Sequence, residues 1–331
     1  MRNPPSAFSA VRSGAGPIRA VPVEVTAARD VAIPDGHRQV IILIVNNECE
    51  RMTHLLTAGD WGAVIDPQGG LIRSLTLRGR SILRPMADQV SDAVHAACFP
   101  LLPFANRLEG AVLRIGDRTA RPPPANPERH ALHGFGWRSL WTPVFDNDSA
   151  AELILTGGGD DAWPWRWRAI QRFSRYRDGL RIALVLTNED SVAMPASIGL
   201  HPAFVMAAGT SIELEVSGVW DCDRELIPTA WRHADWTSLR DHPIDNCLTG
   251  WIGQARLRHA DGLCVTLTAD TNHLHVYRPH GSSVICLEPV SARPNAWTIV
   301  PGSNEGPPPM LAPGRELSVV MEISADGGGA G

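Results

Sequence analysis

Residues 180–186 read LRIALVL, a run in which an apolar side chain occupies every second position. The leucines and the isoleucine at these alternate positions would lie on one face of a β-strand, because successive strand side chains point to opposite faces. Residues 211–217, SIELEVS, show the same alternation. Both runs therefore predict strands with one face turned towards a core.

The rest of the chain extends this pattern. Residues 61–67 (WGAVIDP) and 71–77 (LIRSLTL) are apolar runs separated by a Gly-rich turn, which predicts a β-hairpin. Further strands are predicted at residues 152–156, 263–269, 273–277, 283–287 and 317–323. Turn-forming residues, 30 Gly and 27 Pro, separate these runs, and no long helical periodicity competes with them. We therefore predict an all-β fold, one large antiparallel sandwich or barrel.

Composition excludes several classes of function. The net charge of −5 provides no electrostatic reason to expect nucleic acid or an acidic membrane as a partner. All 30 basic residues are arginine. Without lysine, Schiff-base catalysis, pyridoxal phosphate attachment and a P-loop are excluded.

The cysteine pattern indicates the compartment. Six cysteines, at positions 49, 98, 222, 247, 264 and 286, are widely spaced and form no Cys-x-x-Cys pair. In a chain of this length we interpret them as buried free thiols in a reducing environment. No apolar run has the length of a membrane span or the position of a signal peptide. We expect a cytoplasmic protein.

Three segments are predicted along the chain. Residues 1–51 are rich in Pro, Ala, Arg and Gly, and we predict a loosely attached tail or an extension from a misplaced start codon. The alternative is that residues 39–45 add an edge strand. Residues 52–325 would form the sandwich domain, with Met52 as a natural start, and residues 326–331 a flexible tail.

Two segments present a proton-transferring side chain beside a proline. They are residues 199–202, GLHP, with His201, and residues 286–289, CLEP, with Glu288. Proline fixes φ and removes a backbone donor, so such residues often lie at the rim of a strand. A histidine and a glutamate placed in this way suit a general acid and base.

Three polar segments are candidates for holding a polyol. Arg107 supplies fixed donors, His133 lies beside glycines and a tryptophan, and Asp245 precedes a Gly-Trp turn. Each also has a structural alternative. Arg107 could form a salt bridge that ties down a loop, His133 could pack on Trp137, and Asp245 could close an Asx-turn.

The pair His273 and His275 also invites a metal interpretation, since both imidazoles would project from one strand face. No further ligand follows at suitable spacing, so we predict solvated strand histidines and no metal site. Residues 156–161, TGGGDD, lack the lysine of a phosphate loop and are interpreted as a turn.

Together these segments resemble the aldose 1-epimerase (galactose mutarotase-like) family. The matching pieces are residues 103–107 (PFANR), 132–134 (LHG), 199–204 (GLHPAF), 244–251 (IDNCLTGW) and 286–290 (CLEPV), in the family's order. The resemblance implies a large antiparallel β-sandwich. It implies His201 as general acid and Glu288 as general base, with sugar hydroxyls held by Asn106, Arg107, His133 and Asp245. The chain departs from the family at Ala203, where many members carry an aromatic residue, and at Phe135, where many carry glycine.

The resemblance implies interconversion of the α and β anomers of a free monosaccharide, with no cofactor and no metal, by a monomer or homodimer. From reference pKa values of about 4.3 and 6.5, Glu288 would be ionised at neutral pH. His201 would stay protonated if a neighbouring carboxylate supports it. Three alternatives remain: a sugar-phosphate mutarotase, a glycosidase using Asp245 and Glu288, and a non-catalytic sugar-binding protein on the same fold.

Overall fold

Nearly all regular structure in the described part of the chain is β-strand. The computed structural model describes residues 53–327, except residues 89, 91, 126, 148–149, 177–178 and 304–305. In chain order the first strands are β1 (His54–Ala58), β2 (Trp61–Asp66), β3 (Leu71–Leu77), β4 (Arg80–Ser81), β5 (Pro100–Leu101), β6 (Arg107–Leu108), β7 (Leu113–Ile115), β8 (Arg118–Ala120), β9 (Ala131–Leu132), β10 (Thr142–Asn147), β11 (Ala150–Gly157), β12 (Trp167–Arg175) and β13 (Gly179–Asn188). They are followed by β14 (Met194–Pro195), β15 (Gly199–Leu200), β16 (Ala203–Val205), β17 (Ser211–Leu214), β18 (Gly218–Cys222), β19 (Pro228–His233), β20 (Ile244–Thr249), β21 (Gln254–Arg258), β22 (Cys264–Ala269), β23 (His273–Arg278), β24 (Val284–Val290), β25 (Met310–Leu311) and β26 (Glu316–Asp326). The described helical segments are α1 (Trp236–Leu239) and the 3-10 turns Ala93–His95, Glu109–Ala111 and Gly136–Arg138.

Two large antiparallel sheets form the body of the fold. The first has the strand order β10-β11-β12-β13-β26-β22-β21-β17. The second has the order β19-β18-β20-β23-β24-β15-β5, and β16 pairs with β24 beside it. Residues of both sheets belong to one apolar cluster, so the sheets bury their inner faces against each other. The predicted all-β antiparallel sandwich is confirmed.

The inner face of each sheet follows the period-2 pattern. All four alternating aliphatic residues of 180–186, in β13, are buried in the shared core. In the second sheet Leu274 and Val276 of β23, with Ile285 and Leu287 of β24, contribute to the same core. The residues that alternate with them, including His275 and Glu288, must therefore point to the opposite face of the sheet.

Two strand predictions had different outcomes. The hairpin is confirmed, since β2 and β3 pair antiparallel around the Gly-rich turn. The strand over residues 211–217 is shorter than predicted and ends at Leu214, which pairs with Ala255. Beyond Glu215 the chain leaves this sheet, because the backbone N–H of Ser217 donates to the carbonyl of Thr249 in the second sheet.

Further sequence predictions concern thiols and termini. Of the cysteines that the structure describes, Cys98, Cys247 and Cys286 are buried. Cys222 and Cys264 are only half-buried, because each lies at the end of a strand. Within residues 53–327, no described helix is long and apolar enough to cross a bilayer. The predictions for residues 1–51 and Met52 lie outside the described residues, as do Cys49 and residues 328–331.

Candidate active site

His201 and Glu288 meet on the outer face of the second sheet. The Nε2 atom of His201 lies 3.1 Å from Oε1 of Glu288, and their side chains are 13% and 2% exposed. Glu288 belongs to β24, while His201 directly follows β15, which pairs with β24 at Val290. The backbone N–H of His201 donates to the carbonyl of Phe99, which fixes the backbone at the position of His201.

The imidazole of His201 is held by a stack of rings. Phe99 lies parallel to it, with centroids 4.3 Å apart and planes 20° apart. Trp137 stacks on the other side of Phe99 at 5.5 Å, and the Arg138 guanidinium covers Trp137 at 4.0 Å. Buried rings in such contact have few alternative rotamers. The stack therefore sets the plane in which His201 faces Glu288.

Asn106 and His133 are held at the ends of two short paired strands. β6 pairs with β9, and both residues lie just outside this pair with φ of +59°. The backbone N–H of Asn106 donates to Nδ1 of His133 at 3.1 Å. Because Nδ1 accepts this bond, the proton of the neutral ring lies on Nε2. Burial, followed by the nearby His201, His275 and Arg107, holds the pKa of His133 well below its usual value. His133 is thus a neutral N–H donor.

Gly134 explains why the chain can turn at this point. Its φ is +64°, a region that favours glycine, and a Cβ there would lie 2.0 Å from the Leu102 carbonyl oxygen. The close approach brings the His133 loop directly onto the segment that precedes Asn106. A side chain at position 134 would separate the two loops that hold the site.

Arg107 forms a salt bridge with the carboxylate of Glu128. Its Nε and Nη2 each lie 3.0 Å from a different oxygen of Glu128, a bidentate salt bridge. Its Nη1 lies 3.5 Å from Oδ1 of Asn106. The structural alternative for Arg107, a salt bridge that ties down a loop, is therefore present. The bidentate pairing also holds the guanidinium in one orientation beside the site.

Asp245 lies on β20 and contacts a residue that the sequence interpretation placed in solvent. Its Oδ1 is 2.8 Å from Nε2 of His275. His275 is 3% exposed, so the prediction of a solvated strand histidine is wrong at this position, and His273 is half-buried. The period-2 pattern correctly put both rings on one face. That face is covered by the segments carrying Phe99, Asn106 and His133 rather than by water.

Strand register arranges these side chains in two rows across the sheet. His275 of β23 is opposite both Glu288 and Cys247, and Tyr277 is opposite both Cys286 and Asp245. Directly opposed residues of an antiparallel pair project to the same face. The described part of the chain contains no group of three or more His, Cys, Asp or Glu residues placed to hold a metal ion.

Burial changes the protonation expected from reference values. Burial, reinforced by the charge of Asp245 and opposed by His275 and Arg107, raises the pKa of Glu288 to about 8. Burial, together with the charges of His275 and Arg84, lowers the pKa of His201 to about 3. The pair therefore holds one proton at neutral pH and favours its uncharged form, with the proton on Glu288. The expectation of an ionised Glu288 in the free protein is wrong, because reference values assume full hydration.

Comparison with known proteins identifies the family. The sequence profile of the family described as Aldose 1-epimerase matches residues 52–324. The chain belongs to the aldose 1-epimerase family. It is 27% identical over 293 residues to the uncharacterized protein YphB of Escherichia coli K12, across 82% of this chain and 98% of YphB.

Solved structures of similar proteins agree with this assignment. A protein of Escherichia coli K12, provisionally named an aldose 1-epimerase, has a TM-score of 0.74 and 25% identity over 83% of this chain and 99% of its own. A galactose mutarotase-like protein of Clostridium acetobutylicum has a TM-score of 0.70 and 18% identity over 91% and 98% of the two chains. At that identity the second likeness shows the shared fold alone.

The two departures from the aldose 1-epimerase pattern have different structural surroundings. Phe135 packs edge-on against Phe104 and Trp163, at 6.3 and 6.4 Å, and so helps to build the layer behind the His133 loop. Ala203 is fully buried and opposite Cys286, on the face that also carries Glu288.

The structure brings the six predicted residues into one connected cluster. Asn106 donates its backbone N–H to His133 and accepts from the Arg107 backbone through Oδ1, and its Nδ2 lies 3.2 Å from Nε2 of His275, the partner of Asp245. The ring of His133 lies 5.4 Å from that of His201, which contacts Glu288. Whether they bind sugar stays a prediction. Sequence reasoning missed Phe99, Glu128 and the burial of His275. No sequence signal indicated that burial, since alternation with Leu274 and Val276 places His275 on the face opposite the core without showing what covers that face.

Proposed function

We propose that this chain interconverts the α and β anomers of a free aldose by proton transfer between the sugar and the His201–Glu288 pair. The observation that supports this most directly is the 3.1 Å contact between Nε2 of His201 and Oε1 of Glu288 in a buried site. Such a pair holds the single proton that the reaction requires. The chain's membership of the aldose 1-epimerase family indicates a sugar as substrate.

Ring opening needs two proton movements at neighbouring atoms. The C1 hydroxyl loses its proton as C1=O forms, and the ring oxygen gains one as its bond to C1 breaks. Both oxygens are attached to the same carbon, so an acid and a base one hydrogen bond apart can each reach one of them. After rotation about the C1–C2 bond, the reverse transfers close the ring on the other face.

The protonated pair supplies both roles. When the sugar lies against it, the shared proton passes from Glu288 to Nε2 of His201, which delivers it to the ring oxygen. Glu288 then accepts the proton of the C1 hydroxyl. Neutral His133 donates through Nε2–H, and Arg107 and Asp245 hold further hydroxyls. These groups fix the sugar ring, because positioning in a largely dry site lowers the entropic cost of the transfer.

A polarimetric screen tests this proposal. Freshly dissolved α-anomers of glucose, galactose, xylose and arabinose are followed with and without the protein, and a hexose 6-phosphate is included to detect the sugar-phosphate alternative. We expect at least one free aldose to reach its equilibrium rotation faster, at a rate proportional to protein concentration. If every sugar relaxed at its spontaneous rate, the proposal would fail.

The pH dependence follows from the one-proton state. Because the pKa of Glu288 is raised to about 8, the pair keeps its proton up to that pH. Because the pKa of His201 is lowered to about 3, the pair gains no second proton until strongly acidic conditions. We expect kcat to be flat from about pH 5 to 7 and to fall about tenfold per pH unit well above 8. A rate that keeps rising through about pH 9, after correction for buffer catalysis, would contradict this assignment.

Chelation should leave the rate unchanged. The chemistry proposed uses only proton transfers by side chains, and Nε2 of His275 is occupied by Asp245. We expect wild-type kcat after exhaustive dialysis against a strong chelator, measured with the best sugar. Loss of activity that one divalent ion restores would revive the metal interpretation of His273 and His275.

A further inference from the structure

His275 lies between the two carboxylates of the site. Its strand β23 separates β20, which carries Asp245, from β24, which carries Glu288. In the register His275 is directly opposite Glu288, so the two side chains share a face. Nε2 of His275 contacts Oδ1 of Asp245 at 2.8 Å, and the ring is 3% exposed. The ring therefore joins one carboxylate by a hydrogen bond and faces the other across the ladder.

The hydrogen bonds determine which ring nitrogen carries a proton. The amide of Asn106 has its Oδ1 towards the Arg107 backbone N–H, at 2.8 Å, so the atom that lies 3.2 Å from His275 is Nδ2. Burial opposes the charge on Asp245, but its bond to His275 and the nearby cations hold its pKa below the usual value. A carboxylate accepts hydrogen bonds only, so the shorter contact, with Asp245 at 2.8 Å, requires N–H at Nε2 of His275, and the 3.2 Å approach of Asn106 Nδ2 is then not a hydrogen bond.

The charged groups around the ring favour its protonated form. Asp245 faces it from β20 and Glu288 from β24, whereas Arg107 faces it from β6. Burial lowers the pKa of His275, but the two carboxyl groups raise it above the usual value. Arg107 is itself neutralised by a bidentate salt bridge with Glu128. His133 is uncharged and does not compete.

We propose that His275 is a positioning residue that orients Asp245 through Nε2 and turns the positive end of the Asp245–His275 pair towards Glu288. The proposal rests on the proposed function, because it concerns the base in that reaction. When Glu288 passes its proton to His201 it becomes a buried carboxylate, and its Oε2 has no hydrogen-bond partner among the described residues. A buried charge without donors is unfavourable unless an opposite charge lies nearby. His275, directly opposite Glu288 in the register, supplies that charge.

The relative influence of the two partners supports this orientation. His275 affects the pKa of Glu288 more strongly, and downwards, than Asp245 does upwards. The register agrees, because His275 is directly opposite Glu288 whereas Asp245 is opposite Tyr277, in the neighbouring row. Removing the positive charge of His275 should make Glu288 hold its proton more tightly and make His201 easier to protonate.

His275→Gln tests the proposal in the full-length protein. Glutamine keeps an N–H donor of similar reach for Asp245 but carries no charge. We expect both limbs of the pH–rate profile to move to higher pH, the alkaline limb by about one unit, and kcat at neutral pH to fall about tenfold with KM within a few-fold of wild type. His273→Gln, two residues away on the same strand face, is the matched control and should leave both limbs in place. A His275→Gln profile with unmoved limbs, whatever its height, would overturn the proposal.

Two spectroscopic measurements do not depend on activity. In protein labelled with carbon-13 at the glutamate carboxyl, with Glu288→Gln for assignment, the titration midpoint of Glu288 should rise in His275→Gln. In the wild type, nitrogen-15 shifts should show both ring nitrogens of His275 protonated at pH 7, a test that does not require the variant to fold. A neutral His275 ring, or an unmoved Glu288 midpoint, would overturn the proposal. If both shifts appeared but no sugar were turned over, the proposed function would fail while the coupling of His275 to Glu288 would stand.

Discussion

Glu288→Gln and His201→Asn should each lower kcat for mutarotation by about 10²–10⁴-fold, the usual contribution of a positioned acid or base. Both replacements keep the approximate shape and hydrogen-bonding capacity of the side chain but cannot exchange a proton near neutral pH. The buried pair, 3.1 Å apart, would then hold no transferable proton between its two sites. Initial rates by polarimetry on the best sugar measure the effect.

Folding and a surface carboxylate provide the controls for these variants. Far-ultraviolet circular dichroism and thermal melting should match the wild type, since each variant leaves a neutral and hydrogen-bonding side chain in the buried site. Glu213→Gln, which removes an exposed carboxylate on the edge strand β17, should retain the wild-type rate. A Glu288 or His201 variant that was folded and kept near wild-type kcat would show that the proton passes elsewhere.

Gly134→Ala should produce the second large effect, this time on stability. The residue has φ of +64°, and the new Cβ would lie 2.0 Å from the Leu102 carbonyl oxygen. A left-handed conformation costs an ordinary residue about 1–2 kcal/mol. Overpacking against backbone adds about 1–3 kcal/mol. We expect the free energy of unfolding to fall by roughly 2–5 kcal/mol and kcat/KM to fall with it, because His133 is the preceding residue.

Gly116→Ala separates the two causes of this loss. Its φ of +58° is similar, but a Cβ at position 116 meets nothing within 4 Å. It should therefore lose only the conformational part, about 1–2 kcal/mol. Urea unfolding of both variants measures the difference. Equal losses at the two positions would show that the contact between the His133 loop and Leu102 contributes nothing to stability.

The alternation of apolar residues was sufficient to predict the architecture. In β13 and in the β2–β3 hairpin, each strand's own residues define the buried face, and local turn chemistry defines the connection. Both signals are short-range, so they can be seen in the sequence. The extent of residues 211–217 as a strand depended on a partner more than 35 positions away, and the pattern alone overestimated its length.

The sequence motifs were sufficient to predict which side chains form the site. They did not reveal the protonation of those side chains, because protonation depends on the surrounding structure. His201 and Glu288 stand beside prolines, and the resemblance assigned their roles. Their protonation depends on burial by distant loops, which reverses the reference expectation for Glu288. His275 was misjudged for the same reason. A period of two identifies a face, but it does not reveal whether water or another segment covers that face.

The most direct test of the central claim is the exchange between anomers at equilibrium. Selective inversion of one anomeric proton signal, with detection on the other, measures the rate of interconversion without any net reaction. With the best aldose from the polarimetric screen, we expect an exchange rate that increases linearly with wild-type protein, an unchanged ratio of anomers, and no increase with Glu288→Gln. An exchange rate equal to that of buffer alone at every concentration of wild-type protein would contradict the account.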